Sequence, residues 1–202
     1  MKLNLNLKTK YIGKNAYFFK KIDSTQSMIQ RLIDKKKIVN GMLIMCDIQT
    51  NGKGTHGRRW ITDEKNNIAF SIYIESDCKI NKIENITIDI ANILINIFES
   101  LYNIKIEIRK PNDLYIKGKK VGGILTEVRT SNCNVKYIVI GIGINTVKEN
   151  FNNNLPNCIF NEIATSIKNE FHTNINRNII IEEFCNRFEK YLFENKIILI
   201  QK

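Results

Sequence analysis

Histidine, proline and tryptophan are scarce in this chain, with two, two and one of each among 202 residues. His56 and His172 are too few to complete a zinc site. The five cysteines (Cys46, Cys78, Cys133, Cys158, Cys185) form no Cys-x-x-Cys pair, so reduced thiols in a cytoplasmic compartment are the default. No apolar run reaches the length of a membrane span, and the N-terminus MKLNLNLKTK lacks the continuous apolar stretch of an export signal. Neither G-x-x-x-x-G-K-[ST] nor a G-x-G-x-x-G opening a helix occurs, which removes the common nucleotide-binding loops. Internal repeats and a separate linker are also missing, so residues 1–202 read as a single domain.

What is present is ordinary for a globule: 43% hydrophobic and 25% charged residues, enough to bury a core. The net charge of +11 suggests a polyanion, nucleic acid among the possibilities. However, lysine outnumbers arginine, the lysines are spread along the chain, and isoleucine, asparagine and lysine dominate the composition. An AT-rich genome gives the same composition.

One stretch departs from this plain background. Residues 49–60, QTNGKGTHGRRW, hold three glycines, three cations and the only tryptophan. Closely spaced glycines let a ligand approach backbone N–H groups, and Lys53, Arg58 and Arg59 add fixed positive charge. Two readings follow, an anion-binding loop for phosphate or carboxylate and a solvated basic hairpin turn.

Periodicity places the remaining elements. Residues 3–7 alternate as a weak edge strand and 16–22 form a second strand. Met28, Ile29, Leu32 and Ile33 mark a helix capped by Asp23, Ser24 or Thr25. A buried strand over 41–47 delivers the chain to the glycine-rich loop, and 67–75 is the strand after it. Apolar residues at 86, 90, 93, 94, 97 and 101 predict an amphipathic helix over 83–101. A strand through Ile104, Ile106 and Ile108 then leads to the turn signature Pro111-Asn112-Asp113. Residues 114–116 and 121–128 form a hairpin closed at 117–119, and 135–144 is an apolar strand. Asparagine-rich 150–157 reads as a loop, and helices are expected over 163–171 and 179–193.

Several of these positions carry motifs. Asp23-Ser24-Thr25-Gln26 opens the first helix, and Arg109-Lys110-Pro111-Asn112-Asp113-Leu114-Tyr115 precedes Lys119-Lys120-Val121-Gly122-Gly123-Ile124-Leu125-Thr126-Glu127. Gly141-Ile142-Gly143-Ile144-Asn145 ends a strand, and Ala164-Thr165-Ser166-Ile167 follows the asparagine-rich loop. Each has a bland reading: capping for Ser24 and Thr25, a charged turn for Lys117 and Lys119, close packing for the glycines. Taken in order with the loop at 49–60, the set resembles biotin protein ligases, whose forms are D-S-T-N, G-R-G-R-x-G-R-x-W, K-W-P-N-D-[LI]-Y, K-[VL]-[GA]-G-I-L-x-E, G-I-G-I-N and A-T-S-L.

The resemblance implies an α/β (α+β) fold, a mixed and largely antiparallel sheet flanked by helices, like the catalytic domain of class II aminoacyl-tRNA synthetases. It implies ATP-dependent attachment of biotin to a lysine of a biotin carboxyl carrier protein, an acetyl-CoA carboxylase subunit, through biotinyl-5′-adenylate. Biotin and ATP are then the substrates and Mg²⁺ the accompanying ion, with no metal ligands in the protein named. Lys120 and Arg58 would be catalytic. Ser24, Thr25, Gln26, Gln49, Gly52, Lys53, Gly54, Thr55, Trp60, Lys120, Gly123, Gly141 and Gly143 would bind biotin. Lys53, Thr55, Arg58, Asn112, Asp113 and Asn145 would bind ATP and the adenylate. The glycine-rich loop would close over bound ligand.

The chain departs from the family's forms at Gln26 for asparagine, Lys53 and Thr55 for arginines, Arg109 for lysine and Lys110 for tryptophan. A missing arginine at Thr55 should weaken retention of the adenylate. An N-terminal winged helix and a C-terminal β-barrel found in some members are not expected here, nor are sequence-specific DNA binding or membrane attachment; a homodimer through the sheets fits the family. The rival within the fold is a lipoate or octanoate ligase or transferase, which would need no polar groups for a urea ring. The rivals outside that reading are a basic nucleic-acid-binding protein and a ligase that binds biotin but turns over poorly.

Overall fold

The computed structural model describes residues 1–109, 111–149, 151 and 163–198. The motif residue Lys110, Cys158 and the asparagine-rich loop at 150–157, apart from Phe151, lie outside them.

Isoleucine in alternation builds the centre of the molecule. Strand β8 (Asn134–Ile144) carries Ile138, Ile140, Ile142 and Ile144 on one face, and β4 (Ile68–Glu75) beside it carries Ile68, Phe70, Ile72 and Ile74. Side chains at i and i+2 share a face, so each strand turns a continuous β-branched or aromatic row to one side. Helices α2 (Ile86–Tyr102) and α4 (Arg177–Glu194) cover that row. Phe184 of α4 meets Phe70 edge-on at 5.7 Å between ring centroids.

The sheet runs β1-β2-β4-β8-β7-β6-β5, with β3 paired to β2. The further strands are β1 (Ala16–Ile22), β2 (Leu43–Lys53), β3 (Arg59–Thr62), β5 (Glu107–Arg109), β6 (Asp113–Ile116) and β7 (Lys119–Ser131). Only β1 and β2 pair in parallel, and α1 (Thr25–Asp34) is the crossover such a pair requires. Every other pairing between the described strands is antiparallel, so the sheet is mixed and largely antiparallel as expected. β6 and β7 meet at Lys117 and Gly118, with φ of 48° and 75°, the two left-handed residues of a tight hairpin turn. Helix α1 packs alone on the opposite face, where Ile29 joins Ile44, Tyr73 and Val139.

Three sequence expectations give way to tertiary contacts. Residues 3–7 form no strand ladder; Asn6 and Lys8 give their N–H groups to Glu182 and Asn186 of α4, at 2.8 and 2.9 Å. Just beyond, the buried Glu189 carboxylate accepts from the N–H groups of Lys10, Tyr11 and Ile12. The strand expected over 41–47 continues as β2 to Lys53, because β3 folds back and pairs with it. The helix expected from 163 is α3 (Ile167–Phe171); Ala164 instead bridges to Lys120, and Ser166 caps the helix at Asn169 N–H.

Candidate functional site

The face away from α2 and α4 is built from small residues. Across β4, β8 and β7, Ala69, Gly143 and Gly123 form one row and Ser71, Gly141 and Leu125 the next. The single tryptophan lies on this clearing: a Cβ built on Gly143 would sit 2.4 Å from Trp60 Cε2, and one on Gly123 would be 3.6 Å from its Cζ3. No side chain larger than hydrogen fits beneath the indole at Gly143. The glycines of β7 and β8 are therefore space for a flat group.

Around Gly141 the clearing becomes polar. Ser24 is buried and caps α1 by accepting from Ser27 N–H, as the bland reading has it, while Thr25 is the first helical residue and faces the site. Thr25 N–H donates to Gln49 Oε1 at 2.9 Å, and its Oγ1 lies 2.8 Å from Ser71 Oγ. Gln49 Nε2 donates in turn to Thr62 Oγ1 at 3.2 Å. Gln26 Nε2 donates to Glu127 at 2.7 Å and to the Val139 carbonyl at 3.3 Å. Its Oε1 has no hydrogen-bond partner among the described residues and lies 2.8 Å from the position of a Cβ on Gly141.

At Gly123 the clearing becomes charged. Lys120 Nζ and Asp113 Oδ1 form an ion pair at 2.9 Å, with side chains 18% and 16% exposed. Asp113 Oδ1 also stands 3.5 Å from a Cβ placed on Gly123. Asn112 links the groups by donating to Asp113 at 3.4 Å and to the Ile124 carbonyl at 3.2 Å. Lys117 and Lys119 are spent elsewhere: both meet Glu170, whose carboxyl is held below its usual range by Lys119 first and then Thr165. The charged-turn reading thus holds for those two lysines, and Lys120 alone of the three pairs with Asp113.

The glycine-rich stretch is a hairpin, and its cations are left without carboxylates. Lys53 stands opposite Arg59, a like-charge pairing that disfavours the hairpin. Arg58 donates to the carbonyl and hydroxyl of Thr55 at 3.4 Å each, and Arg59 donates to the Thr50 carbonyl at 2.8 Å. No carboxylate pairs with any of the three among the described residues. The hairpin of the second reading is present, and it carries the cations that the anion-binding reading requires. Gly52 allows β3 to close, since a Cβ there would be 2.3 Å from the Trp60 carbonyl, and Gly54 N–H bonds the Arg58 carbonyl at 2.8 Å.

Thr25, Gln26, Gln49, Trp60, Asp113, Lys120, Gly123, Gly141 and Gly143 therefore converge on one face, while Lys53, Thr55 and Arg58 stay in the hairpin. Asn145 is buried below the site, where its amide donates to the Thr165 carbonyl at 3.2 Å and pins the segment that pairs with Lys120. Arg109 lies over the Tyr115 ring at 4.0 Å instead of joining the cluster. Sequence reading missed Ser71, Thr62 and Glu127. Ser71 was open to discovery as the only polar residue within the apolar run 68–74.

Such a sheet, with small residues on the face carrying α1, defines the class II aminoacyl-tRNA synthetase-like fold. The fold is similar to that of biotin protein ligase of Aquifex aeolicus in complex with biotin and ATP, at TM-score 0.65 and 25% identity over 90% of this chain and 70% of that one. The biotin protein ligase of Leishmania major in complex with biotin shares the fold at TM-score 0.67 and 17% identity, over 94% of this chain and 84% of that one. By sequence, the bifunctional ligase/repressor BirA of Bacillus subtilis is 31% identical over 188 residues, 93% of this chain and 57% of that protein. The chain thus spans a little over half the length of that curated relative. Residues 18–145 match the Biotin/lipoate A/B protein ligase family, and the chain belongs to that family.

Proposed function

We propose that this chain joins biotin to a lysine of a biotin carboxyl carrier protein at the expense of ATP. The observation that carries the reading is the order of chemistry along one face: hydrogen-bonding groups around Gly141, the apolar Trp60 indole against Gly143, and the Asp113–Lys120 ion pair beside Gly123. Biotin presents a ring urea, an apolar bicycle and stem, and a carboxylate in the same order. A lipoyl or octanoyl chain has the carboxylate and the stem but nothing for Thr25, Gln49 and Ser71 to bond, so that alternative is not favoured.

In the first step a biotin carboxylate oxygen attacks the α-phosphorus of ATP and pyrophosphate leaves. In the second, the carrier's lysine amine attacks the anhydride carbonyl, losing a proton, and AMP leaves. Neither step needs a protein nucleophile. Two anions must instead be held together, and fixed cations in a partly desolvated site lower that repulsion. Lys120 would bridge carboxylate and α-phosphate by exchanging part of its contact with Asp113. Arg58 and Lys53 would meet the phosphates when the hairpin closes, with Gly54 and Thr55 at its tip; Asn112 and Asp113 would place the nucleotide or the incoming lysine. Asn145 would act from beneath, through the segment beside Lys120.

No group of three or more His, Cys, Asp or Glu gathers to hold a metal among the described residues. Mg²⁺ fits here as the partner of the ATP phosphates, with Asp113 as the nearby carboxylate, since this ion is ordinarily bound by one or two carboxylates plus phosphates. It would neutralise charge as pyrophosphate departs. No helix among the described residues is long and apolar enough to cross a membrane, and we place the reaction in the cytoplasm with its ATP.

The test is to incubate the chain with biotin, ATP, Mg²⁺ and a biotin carboxyl carrier domain and to weigh the carrier. A gain of one biotinyl group, lost in Lys120→Ala, is expected. A gain only with lipoate or octanoate on a lipoyl domain would move the chain to the other branch of its family.

A further inference from the structure

We infer that Glu170 is a positioning residue for the reaction: by holding Lys119 and Thr165, it fixes the β-bulge that turns Lys120, and not Lys119, into the site. The inference rests on the ligase reading above and deepens it, since it concerns how that reading's cation is aimed.

Lys119 and Lys120 are neighbours on β7, so they face opposite sides of the sheet. Simple alternation gives the site to the wrong one. Counting back from Gly123, which faces Trp60 and Asp113, Val121 and Lys119 would share its side and Lys120 would turn with Gly122 toward the packed helices. The observed pairing with β6 differs. Leu114 stands opposite Gly122 and Tyr115 opposite Lys120, so Val121 is an extra residue in β7. A bulge of this kind puts two residues against one and re-aims the side chains beyond it. Val121 and Ile124 are accordingly both buried in the core, although three residues apart. Lys120 comes round to Asp113, and Lys119 lies across from Ile116 on the packed side.

The bulge has to be held, because a slip of one residue would exchange the two lysines. Backbone bonds do part of this. Lys120 N–H donates to the Ile163 carbonyl at 2.9 Å, and the Lys120 carbonyl accepts from Thr165 N–H at 2.8 Å. The carbonyl of the extra residue, Val121, accepts from Asn145 N–H at 2.8 Å.

Glu170 supplies the side-chain part. Its Oε1 accepts from Lys119 Nζ at 2.9 Å and from Thr165 Oγ1 at 2.8 Å, and its backbone carbonyl accepts from Lys117 Nζ at 3.1 Å. With the carboxylate side chain only 9% exposed, these charge-assisted bonds are little screened by water. One residue of α3 therefore ties together the β6–β7 turn, the lysine beside the bulge and the segment that brackets Lys120. Lys119 is held on the packed side, and Lys120 is left to face Asp113.

The experiment is a double-mutant cycle on adenylate formation, read as pyrophosphate release with biotin, ATP and Mg²⁺ at a temperature where circular dichroism shows every variant folded. Glu170→Gln keeps the size of the side chain and removes its charge. In the wild-type background it should lower kcat roughly tenfold, the scale of a misplaced reacting group, and change KM for biotin and ATP by less than about twofold. In the Lys120→Ala background there is no cation left to aim, and the same substitution should change the rate by less than about twofold. Equal losses in both backgrounds would overturn the inference and make Glu170 a structural residue. If Glu170→Gln does not fold, Lys119→Met takes its place in the cycle, since that side chain is 43% exposed, and the same outcomes decide. Wild-type protein that releases pyrophosphate while Glu170→Gln and Lys119→Met stay within about twofold of it removes this inference only. Wild-type protein that releases none removes the ligase reading with it.

Discussion

The two faces of the central sheet are made by the same strands and have opposite contents. Residues 138, 140, 142 and 144 of β8 are all isoleucine, buried under α2 and α4, while 139, 141 and 143 are valine and two glycines. Strand β4 repeats the division, with Ile68, Phe70, Ile72 and Ile74 on the packed side and Ala69, Ser71 and Tyr73 on the other. Period-two geometry lets a strand serve two masters, one residue apart. On the filled side each buried isoleucine contributes about 1.5–3 kcal/mol by leaving water. On the open side the strands give up that burial for space that Trp60 and Gln26 fill. Stability and recognition are thus separable by residue parity.

The strongest way to break this comparison is on the filled face. Phe70→Ala should cost about 3–5 kcal/mol of unfolding free energy by transfer loss and cavity formation. Urea unfolding reads it, and biotin affinity of the folded fraction should be unchanged; a loss of affinity equal to the loss of stability would mean the faces are coupled. On the open face, Lys120→Ala should reduce adenylate formation by roughly 10²–10³-fold, the usual effect of removing one preorganised charge from a reacting centre. Pyrophosphate release measures it. The melting temperature should change far less than in Phe70→Ala.

Gly143→Ala asks the same question without changing charge. The added methyl would meet the indole at 2.4 Å, so Trp60 must leave the clearing. Overpacking of this kind costs about 1–3 kcal/mol. Because the chain has one tryptophan, its fluorescence reports the displacement directly. Unshifted emission together with normal biotin binding would place the indole elsewhere in solution. Thr55→Arg is a milder probe of the hairpin and restores the residue that the family's motif carries; retention of biotinyl-adenylate after gel filtration should lengthen several-fold, and unchanged release would remove Thr55 as a weak point.

The smallest effect lies on the rim. The Arg31 guanidinium, bonded to Asp23 at 2.6 Å, holds that carboxyl at about 2, well below its ordinary 3.8. A carboxylate with a depressed folded value stabilises the protein above its unfolded value, so the contribution is whole at neutral pH and fades as pH falls from about 4 to about 2. Both side chains are more than two-fifths exposed, and solvent screening limits the pair to less than about 1 kcal/mol. Asp23→Asn should therefore flatten the acid limb of the stability curve slightly; a change above that limit would give Asp23 a role beyond tying down the start of α1.

Much of this architecture was legible in the sequence, and the exceptions share a cause. Alternation located β1, β4 and β8, and helical spacing located α1, α2 and α4, because those patterns record burial against one flat or cylindrical surface. Residues 3–7 alternate too, yet Asn6 and, just beyond, Lys8 give their N–H groups to side chains of α4 that lie 176 and 178 residues away, which no local pattern announces. The end of β2 failed for a similar reason: glycines and cations at 49–53 read as loop until β3 supplies the partner strand. In the site, motifs pointed to the glycines and to Lys120. Ser71 and Glu127 were missed because each is an unremarkable strand residue until the register sets it beside Thr25 or Gln26.

By itself, then, the sequence determined which residues alternate, where helices start, and which short motifs carry charge or withhold a side chain, since these depend on neighbours along the chain. Only the tertiary structure decided that Gly123, Gly141 and Gly143 open on the same face, that Trp60 lies over them, and that Lys120 meets Asp113 while Lys117 and Lys119 do not. Those facts follow from strand register and hairpin closure, which are fixed by contacts between distant segments, and a shift of one residue in β8 would have put isoleucine where the site now has glycine.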